Sequence, residues 1–287
     1  MNSRTAGNAP FNIIVCVKQV PAGAQAKLDP VTKTLVRSAG ASILNPYDAF
    51  AVEAALQIRD EFAAGKETQE VPAPECRVTA LSMGVPSAEK MLKDLIARGV
   101  DEGVLLTDRA FAGADTIATA STLAMGIRET EYARGKISLI ICGHMAVDGD
   151  TAQIGPELAE TLNLPHVSNV LKITEVDPKE RYIVVECIAA EGRQTLKVTL
   201  PALLTVSKDI NVLRLPSIAG IRNADQAEIR LLTAADLNAD PERIGKAGSA
   251  TQVVRTFTPA FTGGAERITG TSKEAASKIR EIIGRIL

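Results

Sequence analysis

SLIICGHMAVDGDTAQIGPELAETL, residues 138–162, decides the fold. Residues 138–142 are nearly all apolar, as a strand buried on both faces must be. A turn of small polar residues follows, Asp148, Gly149, Asp150 and Thr151, and then a helical pattern predicted to begin at about Thr151 or Ala152. In an open α/β sheet, ligands bind outside the carboxyl ends of the strands. A helix N-terminus placed there offers unpaired backbone N–H groups to an anion. Gly149 is expected to let the backbone approach closely or take a positive φ, and Thr151 and Gln153 add side-chain donors. Asp148 and Asp150 have two readings: they cap the helix, or they accept hydrogen bonds from a ribose hydroxyl or an adenine amine.

The same alternation extends on both sides of this unit. Apolar, β-rich runs at residues 12–17 (NIIVCV), 77–82 (RVTALS) and 103–106 (GVLL) are separated by helical patterns. One follows Asn45 and Pro46, with Phe50, Ala54, Leu56 and Ile58 on a broad face and Asn45 at the cap position; others cover about 87–98 and 115–131. Strands alternating with helices predict an α/β fold with a mostly parallel open sheet and helices on both faces. Beyond Pro165 the runs 171–188 and 194–207 look like antiparallel strands, with Asp177-Pro178 as a turn, and so predict a β extension. Residues 245–264, rich in Gly, Thr and Pro, read as an irregular arm leading to a helix near 272–286. The expected division is therefore a nucleotide-binding domain over 1–245 and a C-terminal arm and helix over 246–287 that pack on a partner.

The right-handed crossover rule sends four strand ends to one rim. They are Cys16-Val17-Lys18; Met83 and Gly84 within SMGVP; Asp108, Arg109, Ala110, Phe111, Ala112, Gly113, Ala114, Asp115 and Thr116; and Gly143, His144, Met145, Ala146 and Val147 leading into the Asp148 turn. Together they outline one pocket. His144 and His166 are far apart in sequence, and the chain has no serine-nucleophile elbow, no zinc-protease motif and neither standard glycine-rich phosphate loop. The rim reads as a cofactor holder without a bond-breaking constellation.

Composition narrows the partners. Of 287 residues, 46% are hydrophobic and 23% charged, enough to bury a full core. Lys and Arg number 32 against 34 Asp and Glu, which gives no basic field for nucleic acid or an anionic membrane. No window reaches the roughly 20 apolar residues of a membrane span, and MNSRTAGNAPFN lacks a secretory apolar region, so a cytoplasmic location is expected. Cys16, Cys76, Cys142 and Cys187 lie in or beside apolar runs without metal or redox spacing, and read as buried thiols.

IIVCVKQVP, ILNPYDAFAVEAAL, LSMG, GHMAVDGDTAQIGPELAETL, and EGRQTLKVTLPALLTV followed by LPSIAGI occur here in one order. Together they resemble the beta (small) subunit family of electron-transfer flavoproteins over nearly the whole chain. The resemblance implies an adenine-nucleotide alpha-hydrolase-like fold and an alpha-subunit partner that carries a flavin. It places nucleotide contacts on Cys16, on Asn45, Pro46, Tyr47 and Asp48, on Met83, and on the stretch from Gly143 through Ala152 and Gln153 to Ile154.

VDGDTAQIGP and TDRAFAGADTIATA further resemble the electron-bifurcating members. In that type FAD fills the pocket, with Phe111, Ala112, Gly113, Asp115, Thr116 and Thr119 beside it. NADH is then the donor, ferredoxin or flavodoxin one acceptor, and a flavin dehydrogenase of the acyl-CoA or 2-hydroxy-acid type the other, reached through a second FAD in the alpha subunit. The alternatives are a housekeeping subunit with structural AMP and a stand-alone adenine-nucleotide module. Residues 211–223 (NVLRLPSIAGIRN) match the family's docking loop, with Ile218 where an anchoring leucine is usual and Leu215 beside it. The loop departs from the family's usual Asn-Glu-Pro-Arg-Tyr.

Overall fold

The computed structural model describes residues 10–22, 42–65, 74–254, 263 and 267–286. Met1–Gln252 form one compact unit and Val253–Leu287 a second. In the first, β1 (Phe11–Cys16), β4 (Cys76–Met83), β5 (Glu102–Leu106) and β6 (Ile137–Gly143) are parallel neighbours in the order β5-β4-β1-β6. The chain therefore builds outward from β1 in one direction and then crosses to its other side. The switch point lies between β1 and β6, the crevice position of such sheets.

Every residue of β1 is buried, and its side chains serve two cores. Ile13 and Val15 join the core under α1 (Pro46–Gly65) and α2 (Glu89–Ala97); Ile14 and Cys16 join the opposite one, under α3 (Thr116–Arg134) and α4 (Ile154–Leu162). This is why the parallel strands read as unbroken apolar runs. A short antiparallel pair, β2 (Gln19–Pro21) and β3 (Ser42–Leu44), lies between β1 and α1 in sequence.

The β extension differs from its sequence reading. β7 (His166–Asp177), β8 (Tyr182–Ala189) and β9 (Gly192–Thr199) are antiparallel neighbours, as expected. The run 194–207, however, is not one antiparallel strand. It breaks at Leu200-Pro201, and β10 (Ala202–Val206) enters the main sheet parallel to both β6 and β7. Proline has no N–H for the ladder. The fully buried pattern of β10 marks a central strand, while β9 is exposed along most of its length. On the far edge β11 (Arg230–Leu232) pairs parallel with β5. Residues 211–217 run as an irregular segment into α5 (Ile218–Gln226), which Ser217 caps through its hydroxyl on the Gly220 amide and which packs on α2. The expected arm over 245–264 is described only as far as residue 254 and at residue 263; 255–262 and 264 lie outside the described residues. In the second unit α6 (Ser272–Ile286) carries Ile279, Ile282 and Ile283 at helical spacing.

Candidate functional site

Three segments meet at the switch point. After β1, the Lys18 amide donates to Asp48 Oδ2 at 2.7 Å, and the Lys18 carbonyl accepts from the Asn45 amide at 2.9 Å. Asn45 stands at the cap position of α1, but its side chain turns to the loop after β6. It donates to the Met145 carbonyl at 2.9 Å and accepts from the Val147 amide at 3.2 Å. Gly143 ends β6 against the first turn of α1, where an added Cβ would lie 2.5 Å from Asp48 Oδ1 and 2.6 Å from the Tyr47 carbonyl carbon. Only glycine permits that approach. Tyr47 and His144 meet edge to face, their ring centroids 6.0 Å apart.

Asp48 is the buried carboxyl at this junction. Burial pushes its carboxyl up to about 7, against the stabilising bonds from the Asn45 side chain and the Lys18 amide. Lys18 Nζ reaches out to Asp148 Oδ1 at 2.7 Å, which neutralises that acid at the mouth of the crevice. Beneath them, Cys16 and Cys142 are register partners on β1 and β6. The contact with Cys16, together with burial, pushes the Cys142 thiol well above its ordinary value, so it stays protonated. All four cysteines are buried and none forms a disulfide.

The turn after β6 is built differently from the sequence reading. α4 begins at Ile154, not at Thr151 or Ala152, and Asp148 and Asp150 do not cap it. Gln153 occupies the cap position and makes no side-chain cap bond. Nor does Gly149 take a positive φ or lie against another group. Asp150 and Ala152 hold φ of 56° and 54°, while the space around Gly149 is open. Aspartate is among the residues that tolerate this left-handed region, whereas alanine there is strained. A strained turn and an uncapped helix start leave the first-turn N–H groups of α4 available to a ligand. Gly155 seats that turn on β10, since an added Cβ would lie 2.2 Å from Thr205 Cγ2.

The loop after β5 reaches the same region through α3. Asp115 caps α3 on the Ala118 amide at 3.0 Å and also holds Thr251 through its amide and hydroxyl. One residue on, Thr116 donates to Glu157 Oε1 at 3.0 Å, which joins the first turns of α3 and α4. Glu157 was not foreseen, although an acid in the first helical turn of IGPEL was its visible signal. Burial raises its carboxyl, the Thr116 bond opposes this, and Asp115 adds repulsion.

The remaining residues of this loop divide. Asp108 binds the amides of Ala110 and Ala234, and Phe111 is buried in the core under α3 and α4. Arg109 and Ala112 line a groove of about 680 Å³ with Ala234, Asn238, Ile244 and Lys246. Gly113 takes φ 75° in the turn before Asp115, and the Thr119 amide closes on the Asp115 carbonyl. At the end of β4, Met83 is half-buried and the Gly84 amide bonds the Leu106 carbonyl.

Two polar atoms near this rim test whether a ligand fits. Ser82 Oγ, at a fully buried position late in β4, and Glu157 Oε2 are buried without a hydrogen-bond partner among the described residues. Val85, Ile117 and Val147, which follow β4, open α3 and follow β6, are exposed apolar side chains. An orphaned acid oxygen in the first turn of α4, the open amides there and the apolar rim residues suit a nucleotide carrying a flat ring system, so FAD or AMP fits the residues present. Among the described residues, no group of three or more His, Cys, Asp or Glu is placed to hold a metal ion. No helix there is long and apolar enough to cross a membrane.

The sheet order and crevice put the chain in the class of open-sheet α/β proteins with a ligand position at the switch point. The Electron transfer flavoprotein domain model matches residues 32–237. The electron transfer flavoprotein subunit beta of Thermoanaerobacterium thermosaccharolyticum is 43% identical over 272 residues, 94% of this chain and 97% of its own length. Subunit CarD of the caffeyl-CoA reductase-Etf complex of Acetobacterium woodii is 41% identical, covering 96% of this chain and 97% of its own. Protein FixA of Azorhizobium caulinodans is 40% identical, covering 87% and 85%. The chain belongs to the electron-transfer flavoprotein beta-subunit family. Members of that family transfer electrons and pair with an alpha subunit.

Proposed function

We propose that this chain is the beta subunit of an electron-bifurcating flavoprotein that works in the cytoplasm and holds FAD in the crevice between β1 and β6. The observation that carries this reading is the pair of helix starts there. The uncapped N-terminus of α4 is tied to that of α3 through Thr116 and Glu157. The open amides at the start of α4 favour a ligand with negative charge, while the neighbouring start of α3 is already capped by Asp115. The two helix starts also extend the site beyond the Lys18, Asn45 and Gly143 corner. The chemistry an FAD supplies there is acceptance of two electrons from NADH. The proposed partners are ferredoxin or flavodoxin as one acceptor and, by way of the alpha subunit's FAD, an acyl-CoA or 2-hydroxy-acid dehydrogenase as the other.

The chain's own residues bind and orient. The amides from Thr151 to Ile154, in the turn that enters α4, would hold phosphates, while the Asn45 bridge fixes the loop after β6 against α1. Lys18 offsets the charge of Asp148, which would otherwise repel the same phosphates. Val85, Ile117 and Val147 would cover an apolar ring, and Glu157 Oε2 would be available to hydrogen-bond it. Leu215 and Ile218, both well exposed on the segment entering α5, would dock the dehydrogenase.

The experiment is a titration of the gently purified heterodimer with NADH in the absence of any dehydrogenase. Bleaching equivalent to two flavins is expected. A complex that NADH leaves oxidised, with AMP recovered on acid release, would replace this reading with a structural-nucleotide subunit.

A further inference from the structure

Arg214 ties the segment before α5 to α1. Its amide donates to Glu53 Oε2 at 3.0 Å, its Nε to both carboxylate oxygens at 3.2 and 2.9 Å, and its Nη2 to Oε1 at 2.8 Å. Nη1 extends to Asp60 Oδ2 at 2.7 Å. Glu53 is only 5% exposed, so this is a fork-on-fork pair with one member buried. Nearby, Asn211 Nδ2 donates to the Phe50 carbonyl at 3.0 Å.

The opposite side of the segment is held by α2. Arg98 Nη1 donates to the Arg214 carbonyl at 2.7 Å and the Ser217 amide to the Ala97 carbonyl at 3.3 Å. Gly220 passes so close that an added Cβ would lie 2.1 Å from the Ala97 oxygen. The segment has no ladder or helix bonds of its own, so these side chains set its course. What they hold in place is an apolar surface, with Leu215 84% and Ile218 76% exposed.

We propose that the Arg214–Glu53 pair is a positioning device for docking. It fixes Leu215 and Ile218 at one register along α1, the helix whose first turn closes the nucleotide crevice. This rests on the reading of residues 211–223 as the docking loop. A loop already ordered loses little conformational freedom when a partner binds, and a loop released from its clamp loses more. The loss therefore falls on encounter and affinity, not on electron transfer within the docked complex.

Glu53→Gln/Arg214→Gln removes the charges together and keeps the shapes, so no buried charge is left without its partner. Glu53→Gln alone is the second variant. In the purified heterodimer, hydrogen exchange at residues 211–217 is expected to quicken at least tenfold in both, with nucleotide content unchanged. The acceptor is an acyl-CoA dehydrogenase chosen because the wild-type complex reduces it. With it, KM is expected to rise roughly tenfold while kcat stays within about twofold, the mark of lost preorganisation. Leu215→Asp serves as the control for docking itself. If Leu215→Asp raises KM but the clamp variants change neither exchange nor KM, the positioning role is overturned. If Leu215→Asp leaves KM unchanged, the docking reading falls and the positioning role with it.

Discussion

Replacing Gly155 with alanine puts the whole account of the crevice to a local test. The new methyl would lie 2.2 Å from Thr205 Cγ2, against the 3.4 Å at which ordinary contact begins. The first turn of α4 must therefore retreat from β10 by about 1.2 Å. Thr205 cannot yield easily, because it is 2% exposed in a central strand and its β-branched side chain is stiff at χ1. Overpacking of this kind costs about 1–3 kcal/mol. The same retreat carries the open amides of Thr151 to Ile154 away from any phosphate they hold. We expect Gly155→Ala to lower the melting temperature of the heterodimer and to lose bound nucleotide on gel filtration. Thr205→Ser removes the offending methyl, so Gly155→Ala/Thr205→Ser should recover both properties by more than the single effects sum to. Gly149→Ala, in open space, should change neither. Full nucleotide occupancy in Gly155→Ala, or a double variant no better than the single one, would refute the seating of α4 as the phosphate position.

Asp48 gives a pH signature. Its folded value of about 7 lies above the ordinary 3.8, so the folded state keeps a proton that the unfolded chain releases. The stability from this group is complete below about pH 4 and is lost as pH rises through 7, about 2–3 kcal/mol of it between pH 5 and 7. Denaturant titrations at the two pH values should show Asp48→Asn with a flatter dependence than wild type; parallel curves would contradict the buried carboxyl. Asp115→Ala removes the cap of α3 and the anchor of Thr251, and should cost about 1–2 kcal/mol by the same titration. An unchanged midpoint would show that these bonds contribute nothing net. Lys18→Gln leaves Asp148 without its cation at the crevice mouth and should weaken nucleotide retention more at low salt than at high salt. Equal retention at both ionic strengths would remove the charge-offset role.

The parallel half of the sheet was legible because burial on both faces leaves a plain mark: Ile13 and Val15 point to one core and Ile14 and Cys16 to the other, so the strand reads as an apolar run without alternation. β10 was not, since Pro201 sits inside an apolar stretch whose continuation looked like one strand with β9. Only pairing with β6 reveals that the chain has changed neighbours. At the site, strand ends were readable from Gly143 and the Asp148 turn, but the start of α4 was not. Aspartates before a helix usually cap it, whereas here Asp148 is drawn off by Lys18, 130 positions away. Asn45 does stand at the cap position of α1, but its second task, bridging to the loop after β6 about 100 positions away, leaves no mark in the sequence around it. Glu157 and Arg214 depend on partners 41 and 161 positions distant, and spacing within a segment carries no trace of such pairs.

The most direct measurement is the nucleotide content of the intact heterodimer, purified gently and assayed for FAD and AMP after acid release. Two FAD and no AMP per heterodimer is the predicted result, with one of the two flavins lost in Gly155→Ala. One FAD with one AMP would contradict the central claim and confine the redox chemistry to the alpha subunit.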